Sequence, residues 1–301
     1  MHKQAAVMLS AFALTATTLA VAPAPTAQER LLAVRGDLDI PRNIQTLHMA
    51  SRLRALSQTM TIHALLIALA PEPGPSLRTL AEQNENFSRI IAGLRQGDPA
   101  LGLEMMSNPR ILERLARLER EWSVFGPVVQ RILDRGEVTP EDVALVAQRI
   151  GPQASATREL IDEVQYQATG GQTFSLRTKM IGRTEEQQAL IQEIVAGTLL
   201  IAYGHQPEAY RAKLLEQQSR FDRTLKGLLH GDSSLQLLPA PTLLLRERFR
   251  TALSLWGRMS PVLTQVAEGA PVPEKDIPAL LKTSHELAAE LRQAVELYRI
   301  I

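Results

Sequence analysis

The residues most suited to chemistry lie on one predicted helix, between Ile44 and Ile67. At about 100° per residue, one side of this helix carries an apolar seam with spacings of three and four. The seam consists of Met49, Leu53, Leu56, Met60, His63 and Ile67. The opposite side holds small and polar residues around one guanidinium, namely Ala50, Ser51, Arg54, Ser57, Gln58 and Thr61. Small side chains let a second helix approach closely, so Arg54 can meet an anion or a carboxylate there.

Composition predicts an all-α protein. Leu, Ala, Arg, Glu and Gln dominate, and aromatic residues are only 4% of the chain. Long stretches have helical periodicity, and no series of alternating β-branched segments is present. The 301 residues suffice for one large core or for two smaller ones.

The first 27 residues have the layout of a secretory signal peptide. A short basic start at His2 and Lys3 precedes an uncharged apolar run from Ala5 to Val21, and small residues follow up to Ala27. We expect cleavage after Ala27, which places the mature protein in the periplasm. An uncleaved membrane anchor is the alternative, although the run is at the short limit for a span.

The charge and the cysteine content bear on nucleic-acid binding and on disulfide formation. The formal charge is +1, and it falls to zero without residues 1–27, which contain one lysine and no acid. A neutral surface of mixed sign gives no support to nucleic-acid binding. The chain has no cysteine, and therefore no disulfide, despite an oxidising destination.

Helix signals divide the mature chain into eight long helices. A short helical lead at 29–35 is expected to end at Gly36, and the first long helix follows Pro41. Proline, glycine and capping residues place the remaining ends. The predicted helices cover about 41–70, 77–94, 109–135 and 140–167, and then about 172–203, 207–229, 242–268 and 274–301.

The second set of four helices repeats the first. Five landmarks recur 134 residues later in matching helical contexts, which indicates an internal duplication. They are Phe87, Gly97-Asp98, Trp122, Pro127 and Asp142, which return as Phe221, Gly231-Asp232, Trp256, Pro261 and Asp276. We therefore predict two tandem antiparallel four-helix bundles, residues 28–169 and residues 170–301, with one tryptophan as a core anchor in each.

Residues 50–60 carry a family resemblance. The segment Ala-Ser-Arg-Leu-Arg-Ala-Leu-Ser-Gln-Thr-Met resembles the signature Ala-Gly-Arg-Gln-Arg-Met-Leu-Ser-Gln-Arg-Met at seven of eleven positions. That signature belongs to the NarX/PilJ-like N-terminal domain, the periplasmic sensor module of nitrate/nitrite sensor kinases and type IV pilus chemoreceptors. The second copy is more diverged and keeps Gly182-Arg183, at an offset of 131.

The resemblance implies a ligand-sensing four-helix bundle. In the nitrate-binding members, an arginine of the first helix and its mate from a second protomer hold the anion at the dimer interface. Arg54 matches that arginine, and Arg52, Ser57 and Gln58 belong to the same signature. The resemblance also implies a small anion as ligand, a homodimer through the first helix, and a membrane receptor or a pilus or chemotaxis protein as partner.

For Arg54 three alternatives remain open at this stage. The side chain is solvated or structurally paired, or it binds an anion between the first helices of a homodimer. In the third alternative the two modules of one chain pair as two protomers do. Arg54 would then face Glu185, the residue at the matching position, close to Arg183.

No pattern favours catalysis. The histidines His48, His63, His205, His230 and His285 are scattered without metal-ligand spacing, and no cofactor motif is present. Nucleophile motifs and glycine-rich phosphate loops are also missing. Asp142 and Asp276 lie at helix starts, where they suit the helix dipole better than acid catalysis.

The sequence therefore predicts a periplasmic, non-enzymatic, sensor-like binding protein without a signalling domain of its own. The alternative is a structural or scaffolding helical protein that uses its apolar seams to hold a protein partner.

Overall fold

The computed structural model describes residues 27–69, 73–168 and 176–300, with side chains from Gln45 onward. The predicted signal peptide lies outside these residues except for Ala27, and so does the predicted module boundary at 169–170. The chain divides into two units, residues 1–40 and residues 41–301. In the first unit, the described residues are helical.

The protein is all-α, as predicted. Over the described residues the chain forms eight α-helices, two short 3₁₀ turns at Pro99–Leu101 and Glu274–Asp276, and no strand. The helices are α1 Ala27–Leu69, α2 Gly74–Gln96, α3 Pro109–Arg135, α4 Pro140–Ala168, α5 Leu176–Tyr203, α6 Pro207–His230, α7 Leu243–Ala267 and α8 Ile277–Ile300. None of them, within that part of the chain, carries an apolar stretch long enough to cross a bilayer.

The predicted break at Gly36 is wrong, because helix α1 includes both Gly36 and Pro41. A glycine costs a helix about 1 kcal/mol relative to alanine. A proline inside a helix removes one hydrogen bond and clashes locally, and a helix that continues through it is bent there.

Local chemistry accounts for the clearest helix ends. The Asn108 side chain accepts hydrogen bonds from the backbone N–H groups of Arg110 and Ile111, which caps α3. Gly136 then closes α3 in the left-handed region, at φ 73°. Thr242 caps α7 by accepting from the N–H of Leu245.

Two clusters of buried apolar side chains form the interior of the unit 41–301. The first is built mainly by α1 to α4, and the second by α5 to α8. Helix α5 contributes to both, because Val195, Ala196, Leu199 and Leu200 belong to the first cluster. The clusters therefore meet along α5 rather than being separated by a linker.

The repeat has matching aromatic contacts. Phe87 and Trp122 have ring centroids 4.3 Å apart with an interplanar angle of 40°. Phe221 and Trp256 have centroids 4.4 Å apart at 45°. The same tilted pair thus holds the second helix of each half against the third.

The turn after the second helix of each half is also the same. Asp98 exchanges two backbone hydrogen bonds with Leu103, both of 2.9 Å, and Asp232 exchanges two with Leu237, of 3.0 and 2.8 Å. Arg89 Nε lies 2.9 Å from Asp98, and the matching Arg223 Nε lies 3.3 Å from Asp232. A tertiary contact set that recurs at one offset supports the duplication.

Candidate functional site

Helix α1 is buried on both of its faces. The apolar members of the predicted seam are buried, with Leu53 and Met60 fully inaccessible, whereas His63 is only partly buried. On the opposite face, Ala50 is fully buried and Ser57 and Thr61 are nearly so. A helix buried on two faces needs a neighbour at each of them, and the second neighbour here is α5.

Two contacts show that α1 and α5 run in parallel. Arg54 Nη2 lies 3.8 Å from Glu185 Oε2, and Gln58 Nε2 donates to the carbonyl oxygen of Ala189 at 3.2 Å. From the first contact to the second, the residue number increases by four on both helices, as it must in a parallel pair. Both pairs are separated by 131 residues, which is the offset between the two copies of this helix. Matching positions therefore face each other, as they do across a two-fold axis.

The ion pair is largely enclosed. The side chain of Arg54 is 14% exposed and that of Glu185 is 15% exposed. A second arginine, Arg299 of α8, places Nη2 3.3 Å from Glu185 Oε1. Glu185 is thus held between two guanidinium groups, one from each half of the chain.

Burial dominates the electrostatics of this pair. It lowers the pKa of Arg54, against the opposing effect of the Glu185 carboxylate. It also raises the pKa of Glu185, against the opposing effects of Arg54 and Arg299. Burial likewise raises the pKa of Asp162, a nearby carboxyl on α4. Arg54 and Glu185 stabilise each other in their charged forms, because an unpaired buried charge is costly.

The other predicted site residues have different surroundings. The Ser57 hydroxyl donates to Gln153 Oε1 of α4, and Gln58 is held by the Ala189 carbonyl. Arg183 pairs with Glu186 one turn along α5, at 2.9 Å. Arg52 is exposed. Three of the four predicted ligand-binding residues, Arg54, Ser57 and Gln58, are therefore engaged in helix-to-helix contacts.

A groove of about 430 Å³ lies beside the ion pair, between α1, α5 and α8. A second groove, of about 270 Å³, lies on the other side of Arg54 and includes residues of α4 and α6. In both grooves, arginines, glutamates and glutamines alternate with small apolar residues. The side chains that line these grooves can form hydrogen bonds and ion pairs with a ligand.

The sequence did not predict that two polar atoms of helix α1 would be buried without a partner. Ser51 Oγ and His63 Nδ1 are buried and have no hydrogen-bond partner within the described part of the chain. Burial lowers the pKa of His63, and the nearby His285 lowers it further. Among the described residues, no group of three histidine, aspartate or glutamate side chains could hold a metal ion.

No model of a known protein family matches this chain, and no curated protein matches it. The structure itself defines the class: an all-α protein of helical bundles, with a polar interface between two matching helices.

Proposed function

We propose that this protein is a non-catalytic, sensor-like binding protein of the periplasm. In this proposal residues 1–27 are a cleaved signal peptide, and residues 28–169 and 170–301 are two four-helix modules of the NarX/PilJ-like type. The modules pair within one chain, with α1 and α5 in the place of the first helices of two protomers.

The parallel pairing of α1 with α5 carries the proposal. Arg54 faces Glu185 and Gln58 faces Ala189, each across the repeat offset. In a protein with two unrelated bundles, a contact between matching positions would be a coincidence. A gene duplication that joins two protomers of a dimer produces this contact directly.

The partner of Arg54 distinguishes this protein from the sensors it resembles. Where those sensors bind an anion with an arginine from each protomer, Glu185 supplies a carboxylate from within the chain. Arg54 is thus already neutralised, so a ligand would bind beside the pair, in the groove between α1, α5 and α8.

Such a ligand would contact both members of the helix pair and α8. A ligand shifts a structural equilibrium only by as much as its affinity differs between two states. A compound that contacts both α1 and α5 would bind with different affinities to two states in which the helices are differently spaced. A membrane receptor or a pilus or chemotaxis protein would then detect the shifted form.

Thermal shift measurements on the purified protein test the binding role. We expect at least one compound from a panel of small anions and organic acids to raise the melting temperature in a saturable manner. If no compound does so, the sensor proposal is contradicted. N-terminal sequencing of protein from the periplasmic fraction tests the location, with Gln28 as the expected first residue.

One observation favours the scaffolding alternative. Leu238, Leu243 and Leu244 are exposed, and the matching positions of the first half are Glu104, Pro109 and Arg110. The fold therefore does not require leucine there, and an exposed apolar patch often marks a protein contact. Leu243→Asp should abolish binding of a protein partner in this alternative, and it should leave small-molecule binding unchanged.

A further inference from the structure

The groove between α1, α5 and α8 has a surplus of positive charge. Four arginines and two glutamates line it, so its formal charge is +2 before its two histidines are counted. The arginines are Arg52, Arg54, Arg292 and Arg299, the glutamates are Glu185 and Glu296, and the histidines are His48 and His285. A concave, positively charged surface attracts anions.

Two of these arginines have no carboxylate partner among the residues that the structure describes. Both Arg54 and Arg299 contact Glu185, and Arg299 also lies 2.7 Å from Glu296. Within the described part of the chain, no carboxylate lies within 4.0 Å of the guanidinium of Arg52 or of Arg292. One free guanidinium therefore comes from α1 and the other from α8.

The repeat gives a matched comparison for Arg52. Its counterpart Arg183 pairs with Glu186, which lies three residues further along the helix. In the first half, Ala55 occupies the place of Glu186. Arg52 thus lacks the carboxylate that neutralises its counterpart, and Ala55 leaves space in the groove wall.

The groove also carries side chains that can donate and accept hydrogen bonds. The amides of Gln188 and Gln192 line the same groove.

The volume of the groove favours an organic anion over a small inorganic one. A water molecule occupies about 30 Å³ in the liquid, and a small inorganic anion is of similar size. The groove offers about 430 Å³, which lies within the range that organic ligands occupy. A single inorganic anion would leave most of it empty.

From these observations we infer that the groove binds a small organic molecule with two or more carboxylate or phosphate groups, through Arg52 and Arg292. The planar guanidinium fork suits either kind of group, since it can donate two parallel hydrogen bonds. This inference rests on the proposed function and names the chemical class of its ligand.

Isothermal titration calorimetry of the full chain tests the inference. The probes are citrate for carboxylates and fructose 1,6-bisphosphate for phosphates, with nitrate and glucose as controls. We expect saturable binding of citrate or the bisphosphate, which also identifies the anionic group. Arg52→Ala and Arg292→Ala should each weaken that binding at least tenfold, about 1.4 kcal/mol. Arg250→Ala, at an exposed position of α7 outside the groove, should leave it unchanged.

Absence of binding by both polyanions overturns the inference, and so does binding that survives both groove variants. Equal weakening by Arg250→Ala would show non-specific charge attraction and would also overturn it. If the thermal shift panel yields a singly charged ligand that is insensitive to Arg52→Ala and Arg292→Ala, the ligand class is wrong but the sensor proposal stands. If no compound stabilises the protein, both fail.

Discussion

The guanidinium of Arg54 lies 3.8 Å from the carboxylate of Glu185, and the two residues hold matching positions in the two halves of the chain. A perfectly symmetric pair of helices would bring two arginines together here. The duplicated chain instead has opposite charges at the two positions. Opposite charges at these two positions make the contact attractive, whereas two arginines here would repel each other.

Removal of either partner should destabilise the fold. Glu185→Ala would leave the largely buried Arg54 without its carboxylate, which typically costs about 3–5 kcal/mol. Arg54→Ala should cost less, because Glu185 keeps its contact with Arg299. The double variant should cost clearly less than the sum of the single variants. Urea denaturation of the four proteins measures this coupling. The exposed pair Arg183 and Glu186 is the matched control, and its coupling should be below about 1 kcal/mol.

Glu185→Arg should destabilise the fold and create an anion site. Arg54, Arg299 and the new arginine would repel each other within one interface, so we expect a lower melting temperature at low salt. Nitrate or sulfate should restore stability in a saturable manner by binding between the guanidinium groups. Chloride at equal ionic strength controls for simple screening. A variant as stable as the native chain, and indifferent to these anions, would contradict the pairing.

Stability should fall as the pH drops from about 7.5 to 5.5, in part because of His63. Burial lowers the pKa of His63 below its ordinary value of 6.5, so the unfolded state binds a proton in this range more readily than the folded state. The contribution of His63 is thus present above pH 6.5 and is lost as the pH falls toward its folded pKa. Urea denaturation at both pH values should show a smaller loss in His63→Gln. His230→Gln, at an exposed position, should behave as the native chain, and an unchanged slope in His63→Gln would contradict the account.

Two matching glycines should tolerate alanine poorly. A Cβ at Gly227 would lie 2.7 Å from Leu237 Cδ1, and one at Gly93 would lie 3.0 Å from both Asp98 Cβ and Leu103 Cδ1. Each turn therefore packs directly on its helix, and each alanine variant should lose about 1–3 kcal/mol of stability. Gly257→Ala meets no atom within 4 Å and should gain up to about 1 kcal/mol instead. Thermal denaturation compares the three, and a stabilised Gly93→Ala or Gly227→Ala would show that the turns are loosely packed.

The helices and the buried seam were predictable because both depend on local spacing. Met49, Leu53, Leu56, Met60 and Ile67 follow a period of three and four, and all are buried. The break at Gly36 was predicted wrongly, since glycine and proline weaken a helix without dictating its end. Caps at Asn108 and Thr242 agree with the residue types at those positions.

The environment of each polar residue was harder to predict, because it depends on which distant helix lies opposite. Periodicity predicted a small-residue face around Arg54, and only the repeat offset suggested that Glu185 lies across from it. Asp142 was predicted to interact with the helix dipole rather than to act as a general acid. In the structure Asp142 is 2% exposed and pairs with Arg131 and Arg135 at the end of α3. The spacing of those two arginines, one helical turn apart just before the next helix, was the available signal.

A cysteine cross-link between α1 and α5 tests the central claim most directly. The native chain has no cysteine, so Gln58→Cys with Ala189→Cys introduces one defined pair. The control pair is Gln58→Cys with Lys179→Cys, which lies ten residues, or about 15 Å, further down α5. Pairing of matching positions within one chain predicts that a short bifunctional thiol reagent links 58 to 189 in the monomer and fails to link 58 to 179. Equal linkage of both pairs, no linkage of 58 to 189, or linkage only between two chains would contradict it.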